Sequence, residues 1–210
     1  MSIEHSNIEH SKSDRPLVVG IGGTTRTPSS TDRALRLALL AAEEAGARTH
    51  CFSGPFLASL PHFTPEHQTR TEGQRELIAM VRHADGLIVA SPGYHGGVSG
   101  LVKNALDLLE DLRADERSYL DGRAVGCVVT AAGWQAAVTT LEALRAIIHA
   151  LRGWPTPLGA SLNTAEGLFD RDGNCTDAKA AEVLSGVGRQ VAEFALRHGA
   201  AMKHGSPHRA

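Results

Sequence analysis

Gly86-Leu87-Ile88-Val89-Ala90-Ser91-Pro92-Gly93-Tyr94-His95-Gly96-Gly97-Val98-Ser99-Gly100-Leu101-Val102-Lys103-Asn104-Ala105-Leu106-Asp107 joins three kinds of element in one stretch. Residues 86–90 are continuously apolar and lie between Asp85 and Pro92, the pattern of a parallel strand covered on both faces. Glycines at 96, 97 and 100 then allow a close backbone approach or a positive φ. From about residue 99 to 112, Leu101, Val102, Ala105, Leu106, Leu108 and Leu109 line one side of a helix. A strand that opens through a glycine-rich turn into a helix offers unpaired N–H groups and a surface on which a planar group can lie.

The start of the folded region repeats this design. Leu17-Val18-Val19-Gly20-Ile21 runs into Gly22-Gly23-Thr24-Thr25-Arg26-Thr27-Pro28-Ser29-Ser30-Thr31, and a helical pattern follows from Asp32. The hydroxyls of Thr24, Ser29, Ser30 and Thr31, the Arg26 guanidinium and the N–H groups at the helix start can converge on a small dianion such as a terminal phosphate. Capping alone explains some of the hydroxyls, with Ser30 or Thr31 expected at the N-cap. Arg26 separates the two readings, since a cap needs no cation. The loop lacks the Gly-x-x-x-x-Gly-Lys-Ser/Thr pattern of nucleotide hydrolases and the Gly-x-Gly-x-x-Gly dinucleotide fingerprint.

Working outward, residues 47–52 form a second strand, and a long loop punctuated by Pro55, Pro61 and Pro65 leads to a helix over 73–84. A fourth strand at 124–130 opens into Ala131-Ala132-Gly133-Trp134-Gln135, followed by a helix from about 137 to 151 with Leu141, Leu144, Ile147, Ile148 and Leu151 on one face. Residues 154–161 supply a short fifth strand and about 176–198 a last helix. Five strands alternating with helices imply an α/β fold, an open doubly wound parallel sheet with helices on both faces. The order 2-1-3-4-5 suits five strands and puts its switch point between strands 1 and 3, which carry the two glycine-containing loops.

The chain has 210 residues, 42% of them apolar and 21% charged, so one domain over 15–200 accounts for it, with polar tails expected at 1–14 and 201–210. A formal charge of −2 gives no electrostatic reason to bind nucleic acid or an anionic membrane, and no apolar run approaches the roughly 20 residues of a membrane span. A polar beginning without a hydrophobic signal core implies a cytoplasmic protein. Cys51, Cys127 and Cys175 suggest neither a disulfide framework nor a zinc site; the first two read as buried strand residues, and Cys175 falls in a polar loop. Of the eleven histidines, His5 and His10 belong to the polar leading stretch and His198, His204 and His208 to the polar trailing one that begins at the end of the last helix, so no metal site is expected.

The two loops together resemble the NAD(P)H-dependent FMN reductase family over roughly residues 16 to 165. Gly23, Thr24, Arg26, Ser29 and Thr31 match its Gly-Ser-x-Arg-x-x-Ser-x-Asn/Thr phosphate loop. Residues 92–107 match its Pro-x-Tyr-Asn/His-Gly-x-x-x-Gly-x-x-Lys-Asn-Ala-x-Asp flavin loop. The chain departs from many members at Gly93, where they carry Glu, and at His95, where they carry Asn. The resemblance implies a flavodoxin-like fold that binds FMN. It places the phosphate at Thr24, Arg26, Ser29, Ser30 and Thr31, and the ring on Pro92, Gly93, Tyr94, His95, Gly96, Gly97 and Val98, with Ala132 and Gly133 along the far edge.

It also implies hydride transfer from NAD(P)H as co-substrate, a reaction that requires no catalytic acid, base or metal from the protein. Homodimers or homotetramers are typical of relatives. The electrons pass either to a partner monooxygenase, as free reduced FMN, or to a small acceptor such as a quinone, azo dye or metal oxyanion. A non-enzymatic flavin protein, or a module that binds a phospho-ligand through the first loop alone, is the competing class.

Overall fold

The computed structural model describes residues 15–66 and 69–204, and within it every main strand of one parallel sheet is framed by helices. The elements are β1 (Leu17–Gly22), α1 (Ser30–Glu44), β2 (Arg48–Phe52), α2 (Gly54–Ser59), α3 (Glu72–His83), β3 (Gly86–Tyr94), β4 (Gly97–Val98), α4 (Gly100–Asp107), β5 (Ala124–Ala131), α5 (Trp134–Ala150), β6 (Trp154–Pro155), β7 (Ala160–Asn163) and α6 (Ala178–His204). The main path is β2-β1-β3-β5-β6, all pairs parallel. This is the expected 2-1-3-4-5 order, with β5 as the fourth strand. The expected fifth strand is split: β6 and β7 both pair with β5, and the stretch between them contains Pro157, which cannot donate to the ladder.

The period of two in the strands divides the core between the faces of the sheet. Leu17, Val19, Ile21, Leu87, Val89, Val125, Cys127 and Val129 pack against apolar side chains from α2 to α5. Val18, Ile88, Ala90 and Val128 face the other way, onto Ala34, Leu35, Ala38 and Leu39 of α1 and Leu184, Val187 and Val191 of α6. On that second face α1 and α6 touch through backbone: a Cβ at Gly188 would sit 1.9 Å from the Ala38 carbonyl oxygen.

Several boundaries differ from the expectations for local reasons. The proline-punctuated loop contains α2, because Pro55 stands in the first turn, where a missing N–H costs nothing. Helix α3 starts one residue earlier than expected, at a capping box in which Thr71 accepts from the Gln74 N–H and the Gln74 side chain from the Thr71 N–H. The helix expected over 99–112 changes after Asp107 to a tighter 3-10 turn, Leu108–Leu112. Helix α5 begins at Trp134, and α6 runs on to His204, so the chain expected as tail from 201 is helical as far as that residue. His198, expected in the trailing tail, stacks on Phe194 within α6. The expected tail residues 1–14 and 205–210 lie outside the described residues.

The thiols behave as their strands dictate. Cys127 is fully buried, and burial pushes its pKa up to about 12. Burial also raises Cys51, which is half-buried rather than buried as expected, with Arg36 opposing the shift. Because the thiolate is the reactive form, Cys127 is expected to resist iodoacetamide in the native protein and to react only after unfolding. Peptide mass mapping checks this, and rapid native labelling of Cys127 would show that β5 opens.

Candidate functional site

Strands β1 and β3 are direct neighbours: Gly22, the last residue of β1, lies opposite Ala90, and β3 runs on four residues further to Tyr94. The first loop therefore leaves β1 one strand spacing, about 5 Å, from Ala90 of β3, two residues before Pro92 opens the second motif. The two motif loops meet at the switch point of the sheet.

In the first loop the hydroxyls divide by task. Ser29, and neither Ser30 nor Thr31, is the N-cap of α1; its Oγ accepts from the Asp32 N–H at 3.1 Å. Thr24 Oγ1 accepts from the Arg26 N–H at 3.1 Å and so closes a tight turn within the loop. Thr31 is 2% exposed, and its hydroxyl lies 2.6 Å from Thr130 Oγ1, which ties α1 to β5 instead of facing solvent. Its hydroxyl is thus engaged inside the fold, and the residue offers a ligand its backbone N–H. Ser30, half-buried on the first turn, makes no side-chain hydrogen bond among the described residues. Nor do the exposed hydroxyls of Thr25 and Thr27, which the site residues read from the sequence did not include. The Arg26 side chain is exposed and makes no ion pair among the described residues. Asp32, the acid nearest in sequence, turns its carboxylate toward Gly23 and the Gly54 N–H, 3.4 Å away.

The second loop is a hairpin and not an irregular turn. Strand β3 continues through Pro92 and Gly93 to Tyr94 and folds back as β4, pairing Gly93 with Val98 and Tyr94 with Gly97. The two residues between are His95 at φ 52° and Gly96 at φ 84°, the positive pair that a type I′ turn requires. Histidine and asparagine share a tolerance for this left-handed conformation. That explains why His95 stands where Asn is common in relatives, and gives it a backbone-shaping role. Ser91, which the sequence reading passed over, closes the base of the hairpin by accepting from the Ser99 N–H at 2.9 Å; Ser99 in turn caps α4.

Two observations bear on whether a flat ring fits. A Cβ placed at Gly96, Gly97 or Gly133 would find no atom within 4 Å, so the space beside all three glycines is open. Tyr94, at the end of β3, is 54% exposed. Gly93 is the opposite case: its Cβ would lie 2.8 Å from Thr140 Oγ1 and 3.3 Å from the Ala136 carbonyl oxygen, so α5 leaves no room for the Glu found in many relatives. Ala132 is exposed and Gly133, at φ 136°, is the N-cap of α5. Both sit where β5 leaves the sheet, beside β3. The residues expected around the ring and its far edge are thus gathered on an open shelf at one sheet edge. The cation and hydroxyls expected around the phosphate leave from the neighbouring strand.

Two larger cavities, about 690 Å³ each, lie elsewhere, one lined by Phe63, Arg70 and Asp111 and one by Trp154, Phe194 and His198. No group of metal-ligating side chains occurs among the described residues, and none of their helices is long and apolar enough to cross a membrane.

Comparison with known proteins agrees with this geometry. A family model described as NADPH-dependent FMN reductase matches residues 16–167. An FMN-dependent NADPH-azoreductase of Staphylococcus aureus (strain USA300) is 29% identical over 111 residues, covering 53% of this chain and 55% of that protein. The chain thus spans about half the length of the curated relatives it matches. Among solved structures, the flavoenzyme NAD(P)H:(acceptor) oxidoreductase FerB of Paracoccus denitrificans superposes with a TM-score of 0.71 at 20% identity, over 87% of this chain and 98% of that one. A flavodoxin, WrbA-like protein of Agrobacterium tumefaciens gives 0.60 at 18% identity, over 87% and 99%. At such identities the superpositions establish the flavodoxin-like fold and nothing finer.

Proposed function

The chain belongs to the NADPH-dependent FMN reductase family, and from that premise we propose that it is an NAD(P)H-dependent flavin oxidoreductase. Its FMN phosphate is held by the loop 23–31 and its ring by the hairpin 92–98. The carrying observation is that β1 ends beside Ala90 of β3, so a loop whose arginine makes no ion pair among the described residues leaves the sheet next to the strand that runs on into an exposed tyrosine and open glycines. A phospho-ligand module would use the first loop and leave the second without a purpose.

FMN, when bound, would supply the redox chemistry, the acceptance of a hydride from NAD(P)H with release of NAD(P)⁺ and the delivery of two electrons to an acceptor. The protein's part is binding and orientation. Arg26, the Ser30 hydroxyl and the N–H groups at the start of α1 neutralise the phosphate. Tyr94 and the backbone of the 92–98 hairpin seat the ring, with Ala132 and Gly133 at its edge, and the N–H groups near Gly96 and Gly97 face negative charge that develops on reduction. No side chain has to move a proton. This accords with a shelf built from glycines and small residues rather than from paired acids or a nucleophile–base pair.

The acceptor of this reading is a small molecule reduced at the bound flavin; transfer of free reduced FMN to a partner monooxygenase is the second outcome. We place the protein in the cytoplasm and, since Leu40, Val138 and Trp154 are apolar side chains left exposed on its surface, expect it to be a homodimer or homotetramer.

The test is a visible spectrum of the purified chain, FMN reconstitution, and NADH or NADPH consumption with and without added FMN. Flavin that survives gel filtration and turns over acceptor favours the bound-flavin route. Flavin that is released on reduction favours the monooxygenase route. A colourless protein that takes up no FMN and leaves both nicotinamides untouched would overturn the assignment.

A further inference from the structure

Trp134 is 53% exposed at the first position of α5, and its indole is tethered through its N–H. Its Nε1–H donates to Glu166 Oε1 at 2.8 Å, and the same oxygen accepts from Asn163 Nδ2 at 2.8 Å. Asn163 is itself fixed: it is 7% exposed, ends β7, and its Oδ1 accepts from the Ala165 N–H at 3.2 Å. A polar chain therefore runs from the end of β7 to the rim of the site and holds a large aromatic ring in place.

Position gives that restraint a use. Pro92 and Thr130 are paired across β3 and β5; Tyr94 follows two residues after the first and Trp134 four after the second. The first turn of α5 abuts the flavin hairpin at Gly93, through the Ala136 carbonyl. The two exposed aromatics thus follow the ends of neighbouring strands, with Ala132 and Gly133 leading directly into Trp134. A half-exposed indole would ordinarily rotate, and ordering it on binding would cost entropy; here that ordering is built in before any ligand arrives. Hydrogen bonding to a carboxylate also makes the indole more electron-rich, which favours stacking with electron-poor rings.

We propose that Trp134, held by Glu166 and Asn163, is the stacking platform on which a planar aromatic electron acceptor docks. This rests on the reading that FMN is held by the 23–31 loop and the 92–98 hairpin. Trp134 is the binding residue; Glu166 and Asn163 position it.

The probe is a sulfonated anthraquinone titrated calorimetrically into the FMN-loaded protein, with FMN affinity measured separately by flavin fluorescence. Trp134→Ala is expected to weaken probe binding about tenfold, the loss of one aromatic stacking partner. The KM for the quinone should rise in step, with kcat and the KM for NADPH unchanged. Trp134→Phe should retain most of the affinity. Glu166→Ala, which frees the ring, should lose part of it, and Glu166→Gln, whose carbonyl oxygen still accepts from the indole, should restore it. FMN affinity should be the same in all four variants. Probe binding by Trp134→Ala equal to the parent's overturns the proposal. So does a loss of FMN in that variant, which would make Trp134 part of the flavin seat, or an equal rise in the NADPH KM, which would make it a nicotinamide platform. If the parent protein takes up no FMN, the functional reading itself falls, and that is a separate observation.

Discussion

Arg123→Met lowers the melting temperature of the protein by about 6–12 °C, corresponding to about 3 kcal/mol for a domain of this size, and leaves FMN affinity unchanged. Arg123 is 1% exposed, immediately before β5, and its guanidinium makes no ion pair among the described residues. Nε donates to the Ala84 carbonyl at 2.8 Å, Nη1 to the Tyr119 carbonyl at 2.9 Å and Nη2 to the Arg82 carbonyl at 2.8 Å. Two of these oxygens belong to the end of α3, where a cation also complements the helix dipole. Burial pushes the guanidinium pKa down to about 10, with Arg117 adding to the shift and Asp85, Asp121 and Asp115 opposing it, so the group remains charged at neutral pH.

Two effects oppose each other in this variant. Methionine removes the cost of burying a charge, which is why replacing a buried ionic group by an apolar one is sometimes neutral. It also strands three carbonyls, each of which costs about 1–3 kcal/mol if left unpaired in the interior. Three acceptors lost against one charge relieved makes the net sign destabilising. Arg123→Lys should recover only part of the loss, because an ammonium lacks the planar fork that reaches three oxygens at once. Thermal melts by circular dichroism check this. A melting temperature within a degree or two of the parent's would mean that water reaches the three carbonyls once the guanidinium is gone.

Arg123 also marks the limit of what could be read from the chain. A single arginine ahead of an apolar run looks like a solvated strand end, and its partners are main-chain oxygens, which no residue type announces. The architecture was legible because Val18-Val19-Gly20-Ile21, Leu87-Ile88-Val89-Ala90 and Val125-Gly126-Cys127-Val128-Val129 are short, continuously apolar and separated by helical periods. Such runs, alternating with helical periods, are the pattern of a doubly covered parallel sheet. The candidate site was legible from topology, since the order 2-1-3-4-5 makes the strands carrying the two glycine-containing loops neighbours.

Finer assignments failed where tertiary contact decides among equivalent local choices. Ser29, Ser30 and Thr31 are all competent caps. Ser29 takes the role, and Thr31, one residue into α1, turns its hydroxyl to Thr130, ninety-nine positions away. His95-Gly96 reads as a loop until the antiparallel pairing of Gly93 and Tyr94 shows it to be a two-residue turn. Trp134 reads equally as core or interface until Glu166, thirty-two residues on, is seen to hold it.

At the other end of the sheet the reverse dissociation is expected. Arg26→Ala should raise the FMN dissociation constant by about 10- to 150-fold, the 1.5–3 kcal/mol of a hydrogen bond to a charged group, and leave the melting temperature of the apo protein unchanged. The stability half follows from the structure: the side chain is exposed and makes no hydrogen bond or ion pair among the described residues, so nothing in the fold loses a partner. The affinity half follows from the division of labour in the loop. With Ser29 capping α1, Thr24 closing its own turn and Thr31 bonded to Thr130, Arg26 is the cation left to meet a dianion at the start of α1. Riboflavin supplies the control. It carries the ring without the phosphate, so its affinity should be equal in parent and variant, whereas a variant that damaged the ring seat would lose both ligands. Arg26→Lys should fall between, keeping the charge and losing the bidentate fork, and the whole difference should shrink with added salt because the residue is exposed. An FMN dissociation constant unchanged in Arg26→Ala would place the phosphate away from the 23–31 loop, and with it would go the argument that the two strand tips share one ligand.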